Sequence, residues 1–347
     1  MKRVLVGMSG GVDSSVAVVL LQKLGYEVVG ITFQFIEDFD ATDAIAVAKK
    51  LSIEHHIEDY RKEFKKEIID SFMNDYLKGL TPNPCVQCNR ICKFHFLLEN
   101  MEKYHCDYIA TGHYANLKEN KLYRSIDKNK DQSYFLYNLP KEKLSKILFP
   151  LEGKTKEEIR EIAEENHLIN AHKKDSFDVC FITDTFKEYM KRAVGEQPGP
   201  VINVETKESI GEHKGLTYYT IGQRRGLDIG GTEERMFVVG KDMEKNILYV
   251  CIGEENDYLL SDSCILKDVN LLTDEPFTTC TAKFRYRMED LPVEVEFLEN
   301  KQAIVKYPEG VKRVTPGQAC VFYKEDQCLG GGTIQDVCKN GKKVWYL

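Results

Sequence analysis

The sequence contains no apolar run that approaches the length of a membrane-spanning helix, which needs about 20 apolar residues. Its start, Met1-Lys2-Arg3 followed directly by a strand-like pattern, leaves no room for a cleavable signal. An excess of positive charge is also absent, since 48 Lys and Arg stand against 55 Asp and Glu. That balance argues weakly against a nucleic-acid partner, because phosphate neutralisation drives such binding, although a local basic face could still supply it. We therefore expect a cytoplasmic protein, and 347 residues suffice for two or three domains.

The first loop lacks two common nucleotide-binding signatures. Residues 4–6 (VLV) lead into residues 7–15 (GMSGGVDSS), with neither the Gly-Lys-Ser/Thr ending of a Walker A loop nor G-x-G-x-x-G spacing. Adjacent glycines let the backbone approach a ligand, and the first amides of the next helix point at it unpaired. We expect Ser14 or Ser15 to cap that helix and Gly25 to end it. The loop predicts a phosphate site, against the alternative of a turn without a ligand.

Strand and helix patterns alternate over the first 110 residues. This rhythm predicts an α/β fold with a parallel sheet covered by helices on both faces, and ligands of such sheets lie beyond the carboxyl ends of the strands. The first loop, Phe33 and residues 112–113 fall at such ends. Strands are predicted near residues 3–8, 27–33, 53–57 and 108–111, and helices up to residue 24 and over 41–51, 64–77 and 89–103.

The second half follows a different pattern. A capping box at residues 155–158 predicts a short helix to about Asn166. From Gly199 on, short runs rich in Val, Ile, Tyr and Phe predict two small, barrel-like β domains. We therefore expect a catalytic nucleotide-binding domain, a helical connector that carries Cys180, a central β domain and a C-terminal β-barrel, over residues 1–150, 151–198, 199–261 and 262–347.

Eleven cysteines are many for a reducing compartment, and an odd number cannot all pair with one another. They are expected to be thiols, metal ligands or catalytic groups rather than a disulfide framework. Cys88 lies at the predicted start of the helix over 89–103, where backbone amides and the helix dipole would lower its pKa from about 8.5 toward neutrality. Cys180, alone, would be a buried strand cysteine. Four others have apolar contexts that indicate core positions: Cys251, Cys264, Cys280 and Cys320.

The first loop, Ser-Gly-Gly-x-Asp-Ser, resembles the PP-loop of ATP pyrophosphatases, which transfer AMP and release pyrophosphate. Together with Cys88 and Cys180, the chain resembles the tRNA 2-thiouridylases, close to the bacterial enzymes that act on the wobble uridine (position 34). The resemblance spans nearly the whole chain. Its further blocks occur in one order, at residues 81–89, 110–114, 130–136, 215–227, 284–287 and 315–318.

The resemblance implies a role for individual residues. Cys88 matches the nucleophile, and Cys180 matches the cysteine that carries a persulfide sulfur. The target base would face Asn83, Pro84 and Cys85. ATP would be bound by Gly7, Met8, Ser9, Gly10, Gly11, Val12, Asp13, Ser14, Phe33 and Gly112, and tRNA by His113, Lys130, Asp131, Gln132, Arg285, Tyr286 and Gln318.

The implied reaction begins with adenylation of the uridine C2 oxygen by ATP, with Mg²⁺ shielding the phosphates. A Cys180 persulfide then delivers sulfur, and Cys88 resolves it as a disulfide or after reduction. The implied partners are tRNA and a sulfur donor, either a cysteine desulfurase or a sulfur-relay protein.

One departure from the family leaves alternatives open. Cys85 stands where the bacterial wobble enzymes usually have aspartate, which creates a C-x-x-C spacing. Cys85, Cys88 and Cys180 could hold a [4Fe-4S] cluster with one open iron, as in related thiolases. A structural zinc would need a fourth ligand such as His95 or Cys92.

Basic residues alternate with aromatic ones in the β-rich half. If residues 283–287 (KFRYR) form a strand, Lys283, Arg285 and Arg287 share one face and Phe284 and Tyr286 the other. An isolated strand of this kind is usually a solvated edge. With an RNA-modifying front half, phosphate contacts become the better interpretation, and Tyr or His could hold an unstacked base.

Two other functions compete. Another ATP pyrophosphatase, such as an amidotransferase-type or argininosuccinate synthetase, predicts an amine or ammonia source and no need for Cys88 and Cys180. A non-catalytic, metal-bearing RNA-binding module predicts RNA binding that is indifferent to ATP.

Overall fold

The structure is a computed structural model that describes residues 1–174, 179–182, 184–227 and 235–347. Residues 175–178, in the predicted connector and ending two positions before Cys180, lie outside the described residues. Among the described helices, none combines the length and the apolar character that crossing a bilayer requires.

The N-terminal part contains the parallel sheet that the alternating pattern predicts. Its central strand is the buried run Arg3–Gly7, where Val4, Leu5 and Val6 have no exposed surface. All four neighbouring pairs are parallel, so the carboxyl ends of the strands share one edge. The fifth strand is an addition to the predicted four, and it is only two residues long. The spatial order is Glu54–Asp59, Glu27–Gln34, Arg3–Gly7, Tyr108–Thr111 and Ile147–Leu148.

Helices pack against this sheet. Residues 61–77 and 84–103 form two long helical runs, each widened by a π-helical segment at Lys65–Asp70 or Asn89–Lys93. The second run begins five residues before the predicted start, because Pro84 fits the first helical position. The capping box at Thr155 is confirmed by both of its reciprocal hydrogen bonds with Glu158. The other helical elements of this part are Val12–Lys23, Thr42–Lys50, Ser133–Leu136, Lys141–Lys146 and Lys156–Glu165.

A four-stranded mixed sheet follows the helix Phe186–Val194. Its outer pairs are antiparallel and its central pair is parallel. Short helical turns lie at Leu216–Tyr218 and Asp257–Leu259. The strand order is Met236–Asp242, Ile247–Ile252, Gly199–Asn203 and Ser209–His213.

The C-terminal part is a closed antiparallel barrel of six strands. It closes because Leu260–Leu271 pairs with Gln302–Lys312 on one side and with Gln327–Lys339 on the other. Cys264 and Cys320 are fully buried in its core, as predicted. Around the barrel the strands are Leu260–Leu271, Gln302–Lys312, Leu291–Leu298, Thr279–Lys283, Ala319–Lys324 and Gln327–Lys339.

Short strands extend the barrel sheet. The hairpin Asn116–Lys118 and Lys121–Tyr123, which belongs to the N-terminal part, pairs with the barrel through Tyr123 and Gln327. Lys342–Lys343 pairs with the last long strand. The α/β class with barrel-like C-terminal sheets is therefore confirmed, and the barrel is hydrogen-bonded to the N-terminal part.

Candidate active site

The first loop turns at Gly10, whose φ of 72° lies in the left-handed region that favours glycine. Gly11 occupies the N-cap position without a side-chain cap. Ser14 and Ser15 lie inside the helix, and their hydroxyls donate to the Gly11 carbonyl at 3.1 and 2.9 Å. The predicted serine cap is therefore wrong, because these hydroxyls point back to a carbonyl. The first-turn amides, which have no acceptor within a helix, point toward the first loop.

A second glycine brings a neighbouring strand end against this helix start. A Cβ on Gly112 would lie 2.7 Å from the Asp13 carbonyl carbon and from the Ser14 nitrogen, closer than real Cβ contacts allow. Gly112 directly follows the strand Tyr108–Thr111. The structure thus brings Gly112 together with the predicted nucleotide loop.

Three side chains outside the predicted set of site residues contact the loop. Asp13 Oδ1 accepts hydrogen bonds from the Tyr114 hydroxyl and from Lys156 Nζ, both at 2.7 Å. Asn170 Nδ2 donates to the Gly10 carbonyl at 3.0 Å and to Ser15 Oγ at 2.9 Å. Lys156 and Asn170 are buried, although both side chains are polar. A capping-box helix gives no local signal that its first residue will reach a distant loop.

Phe33 belongs to an aromatic cluster at the carboxyl end of its strand. Its ring meets Tyr60 edge to face at 5.4 Å between centroids, and Phe96 at 6.0 Å. Phe35 lies 5.6 Å away. Half-buried aromatic rings of this kind form an apolar wall at the same sheet edge as the first loop.

Cys88 is buried in the second turn of the helical run 84–103, not at its N-terminus. The pKa of its thiol is nevertheless lowered, to about 7. A hydrogen bond from Cys92 is the main cause, and Lys93 adds to it through its positive charge and a backbone hydrogen bond; burial opposes both. The lowered pKa is as predicted, and the predicted cause is wrong.

Lys93 connects the thiols electrostatically. Burial disfavours its charge, but Cys88, Cys85 and Cys180 together raise its pKa above the ordinary value. Cys85 and Cys180 keep solvent-exposed surface, yet neighbouring protein atoms displace water from their thiols. This desolvation raises the pKa of Cys85, and that of Cys180 to about 11, although Lys93 acts against it. Of these three thiols, Cys88 is the one prepared to be a thiolate near neutral pH.

The described residues contain no group of three His, Cys, Asp or Glu side chains arranged to hold a metal ion. The thiols of Cys85, Cys88 and Cys180 interact electrostatically but do not form a ligand set. Cys92 is buried against Cys88, and its pKa is raised because it donates to that thiol. In the described part of the chain, the arrangement of side chains therefore gives no support to a cluster or a zinc site.

The residues expected to contact tRNA fall into two groups, and the first lies near the first loop and the helical run 84–103. The His113 ring packs on Phe94, and its Nδ1 lies 2.8 Å from Thr111 Oγ1. Burial, and then the charge of Lys93, lower the pKa of His113 to about 3. The remaining members are engaged internally or half-buried: Asp131 accepts from Ser125 and Ser133, Gln132 pairs with Tyr114, and Lys130 is half-buried.

The second group lies in and beside the barrel. The strand Thr279–Lys283 ends before Phe284, so the predicted alternation of faces over residues 283–287 is wrong. Arg285 points inward, and its Nη2 donates to three oxygens of neighbouring segments, namely Ile221 O, Arg313 O and Thr315 Oγ1. The Tyr286 ring packs on Phe135 at 4.4 Å, and Gln318 Nε2 donates to the Thr81 carbonyl at 2.9 Å.

Family models match three successive segments of the chain. Residues 2–184 match the tRNA methyl transferase HUP domain, residues 187–252 the tRNA methyl transferase PRC-barrel domain, and residues 261–334 the aminomethyltransferase beta-barrel domain.

Curated relatives match nearly the whole length. The tRNA-specific 2-thiouridylase MnmA of Geobacillus thermodenitrificans is 45% identical over 364 residues, which cover 99% of this chain and 98% of that protein. The protein of the same name from Listeria monocytogenes is 46% identical over 365 residues, with the same coverage. Among solved structures, a predicted subunit of tRNA methyltransferase from Methanocaldococcus jannaschii aligns over 48% of this chain and 75% of that chain. Its TM-score of 0.34 and its 22% identity are too low to carry a functional argument.

Proposed function

The chain belongs to the tRNA-specific 2-thiouridylase family and is a tRNA-thiolating enzyme, and we propose that it acts on the wobble uridine by adenylating C2–O and delivering sulfur from Cys180. The observation that carries the proposal is the thiolate-forming Cys88 beside Lys93, electrostatically linked to Cys180, in a chain that also carries the PP-loop.

ATP binding is proposed at the first loop and its neighbours. The amides that begin the helix Val12–Lys23 would face the phosphates, and Gly112 allows the close approach of the adjacent strand end. The wall around Phe33 would receive the adenine. Lys156, within reach of Asp13, would supply positive charge where pyrophosphate leaves. Mg²⁺, when bound with ATP, would neutralise phosphate charge. The proposed ATP residues are Gly7, Met8, Ser9, Gly10, Gly11, Val12, Asp13, Ser14, Phe33 and Gly112.

The first chemical step exchanges pyrophosphate for uridine. The C2 oxygen attacks the α-phosphate of ATP, a bond forms between that oxygen and phosphorus, and pyrophosphate leaves. The oxygen, a poor leaving group in uridine, can then depart as AMP.

The second step replaces AMP by sulfur. A donor persulfide first passes its terminal sulfur to the Cys180 thiol, and the donor regains a thiol. The terminal sulfur of the Cys180 persulfide attacks C2 and AMP leaves. The Cys88 thiolate then attacks the Cys180 sulfur, which forms a Cys88–Cys180 disulfide and leaves the thiocarbonyl on the base. A thiol reductant, which restores both cysteines, completes the cycle.

tRNA recognition is proposed on both sides of these thiols. Asn83, Pro84 and Cys85 form the start of the helix that carries Cys88, and would face the extruded base. The division of the chain into parts over 1–150, 151–198, 199–261 and 262–347 is part of the same proposal, with the barrel on the tRNA side. The proposed tRNA contacts are His113, Lys130, Asp131, Gln132, Arg285, Tyr286 and Gln318.

Family membership sets aside a non-catalytic RNA-binding module, and the arrangement of the thiols gives no support to the [4Fe-4S] alternative. An iron and sulfide assay of anaerobically purified protein, repeated on Cys85→Ser, separates the two sulfur routes. We expect no iron and continued thiolation by Cys85→Ser. Stoichiometric iron that Cys85→Ser loses together with activity would favour the cluster.

The proposed function is tested by incubating unmodified tRNA with the protein, ATP, Mg²⁺ and a persulfide donor. Nucleoside mass spectrometry should detect 2-thiouridine, with AMP and pyrophosphate released in equal amounts. The reaction with a matched tRNA that has cytidine at the wobble position should release neither AMP nor pyrophosphate. Thiolation of that control at another uridine would contradict the proposed target.

A further inference from the structure

A turn of the barrel holds the backbone of Thr81, which lies four positions before Cys85. Thr81 N donates to the Pro316 carbonyl at 3.0 Å, and the Thr81 carbonyl accepts from Gln318 Nε2 at 2.9 Å. Both backbone polar groups of Thr81 are thus bonded to the turn 315–318 (TPGQ).

Gly317 makes this contact possible. Its φ is 91°, and a Cβ there would lie 2.9 Å from Thr81 N and 3.0 Å from the Thr81 carbonyl carbon and oxygen. The turn is fixed to the barrel, because Gly317 N donates to Ile334 O and Ile334 N donates to Gln318 O, both at 2.8 Å. A rigid part of the barrel therefore meets Thr81 backbone to backbone.

The central β sheet contacts the same segment two residues earlier. Lys241 Nζ, on the strand Met236–Asp242, lies 3.4 Å from the Gly79 carbonyl. A Cβ on Gly79 would lie 2.9 Å from Met243 Cγ. Residues 79–81 are therefore held from both C-terminal parts.

The chain between Thr81 and the helix is short and stiff. Pro82 and Pro84 fix two backbone φ angles, and Asn83 between them is the N-cap of the helical run that carries Cys88. The buried Thr81 Oγ1 has no hydrogen-bond partner among the described residues, which costs free energy. The two hydrogen bonds with the barrel turn therefore hold Thr81 from outside its own segment.

We propose that Gly317 and Gln318 are positioning residues, which hold Thr81 and thereby set the geometry of Asn83, Cys85 and the helix start. The barrel then governs the rate of thiolation as well as tRNA affinity. This inference rests on the proposed function, since it assigns the loop 83–85 to the target base.

Gly317→Ala tests the proposal, with Gly341→Ala as the matched control. Both glycines belong to the C-terminal part and have positive φ, 91° and 71°, but a Cβ on Gly341 meets nothing within 4 Å. We expect Gly317→Ala to lower kcat for thiolation by about tenfold to a hundredfold, as misplaced reacting groups do. The Kd for tRNA should stay within about twofold of that of Gly341→Ala. Equal kcat values for the two variants would overturn the proposal.

Gln318→Ala provides a milder second variant, because it removes one hydrogen bond and no backbone contact. Its kcat should fall by a larger factor than any rise in the Kd for tRNA that follows from the loss of the proposed tRNA contact of Gln318. A raised Kd with unchanged kcat would mean that Gln318 only contacts tRNA, and would overturn its positioning role. The alkylation rate of Cys85, measured without tRNA or ATP, should rise in Gly317→Ala relative to Gly341→Ala. This alkylation rate tests the positioning role even if the wild-type protein thiolates no tRNA. A lack of thiolation by the wild type would contradict the proposed function and leave the positioning role to be decided by the alkylation rate.

Discussion

Lys156 Nζ lies 2.7 Å from Asp13 Oδ1, although 143 residues separate the two in the chain. The Lys156 side chain is almost fully buried, whereas the Asp13 side chain keeps 31% of its surface exposed. A buried cation at the edge of a phosphate loop can interact with incoming phosphate without leaving its place.

Lys156→Met should lower tRNA-dependent pyrophosphate release by about a hundredfold, because a preorganised charge at the leaving phosphates is lost. Tyr114 still donates to Asp13, so the loop should keep its fold. The control is Lys49→Met, which removes an exposed lysine of the helix Thr42–Lys50. If both variants release pyrophosphate at the wild-type rate, Lys156 has no role in adenylation.

Cys92→Val should raise the pKa of Cys88 above its value of about 7, because the hydrogen bond that stabilises the thiolate is lost. The measurement is the rate of Cys88 alkylation as a function of pH. In the wild type the rate should be half-maximal near pH 7, and in the variant the midpoint should be higher. Cys251→Val, in the barrel-side core, is the matched control. An unchanged midpoint in Cys92→Val would refute the assigned cause.

His113 should make the protein less stable in acid. Its pKa is lowered to about 3 by burial, so between about pH 6.5 and pH 3 the unfolded chain binds a proton that the folded chain does not. The free energy of unfolding should therefore be unaffected above pH 6.5 and fall by up to about 1.4 kcal/mol per pH unit below it. His113→Gln should reduce the measured slope by this contribution, whereas His172→Gln, at an exposed position, should leave the slope unchanged, both measured by urea unfolding. Equal slopes in both variants would contradict the assignment.

Arg285→Ala should destabilise the protein by about 2–4 kcal/mol, because three oxygens around its Nη2 lose a charged donor. Arg287→Ala, two residues on and exposed, should change the unfolding free energy by no more than about 0.5 kcal/mol. Urea unfolding of the two variants measures the difference. Similar small effects would mean that the inward contacts of Arg285 contribute little.

Much of the N-terminal fold could be predicted because its signals are local. The apolar run at Arg3–Gly7 and the adjacent glycines determine a strand and a turn within a dozen residues, and the capping box at Thr155 is equally local. Lys156 and Asn170 could not be placed in the same way, since tertiary folding brings them to the first loop. The alternation of residues 283–287 also gave a wrong prediction for Arg285. Its side chain points inward because its hydrogen-bond acceptors lie in two other segments of the chain.

The thiols show the same limit. The C-x-x-C spacing suggested that Cys85 and Cys88 could bind a metal cluster together with Cys180. The packing of the folded chain decides which thiol is desolvated and which is stabilised as a thiolate. Lys93, which directly follows Cys92 and lies about one turn beyond Cys88, supplies the charge, and no local pattern marks it as different from other helical lysines.

The most direct test of the central claim is a single-turnover assay of Cys180→Ser with tRNA, ATP, Mg²⁺ and a persulfide donor. Sulfur delivery through Cys180 predicts that this variant still releases pyrophosphate in a tRNA-dependent reaction but forms no 2-thiouridine. The Cys264→Ser variant, at a barrel cysteine, should form it at the wild-type level once shown to be folded. Full 2-thiouridine formation by Cys180→Ser would contradict the account.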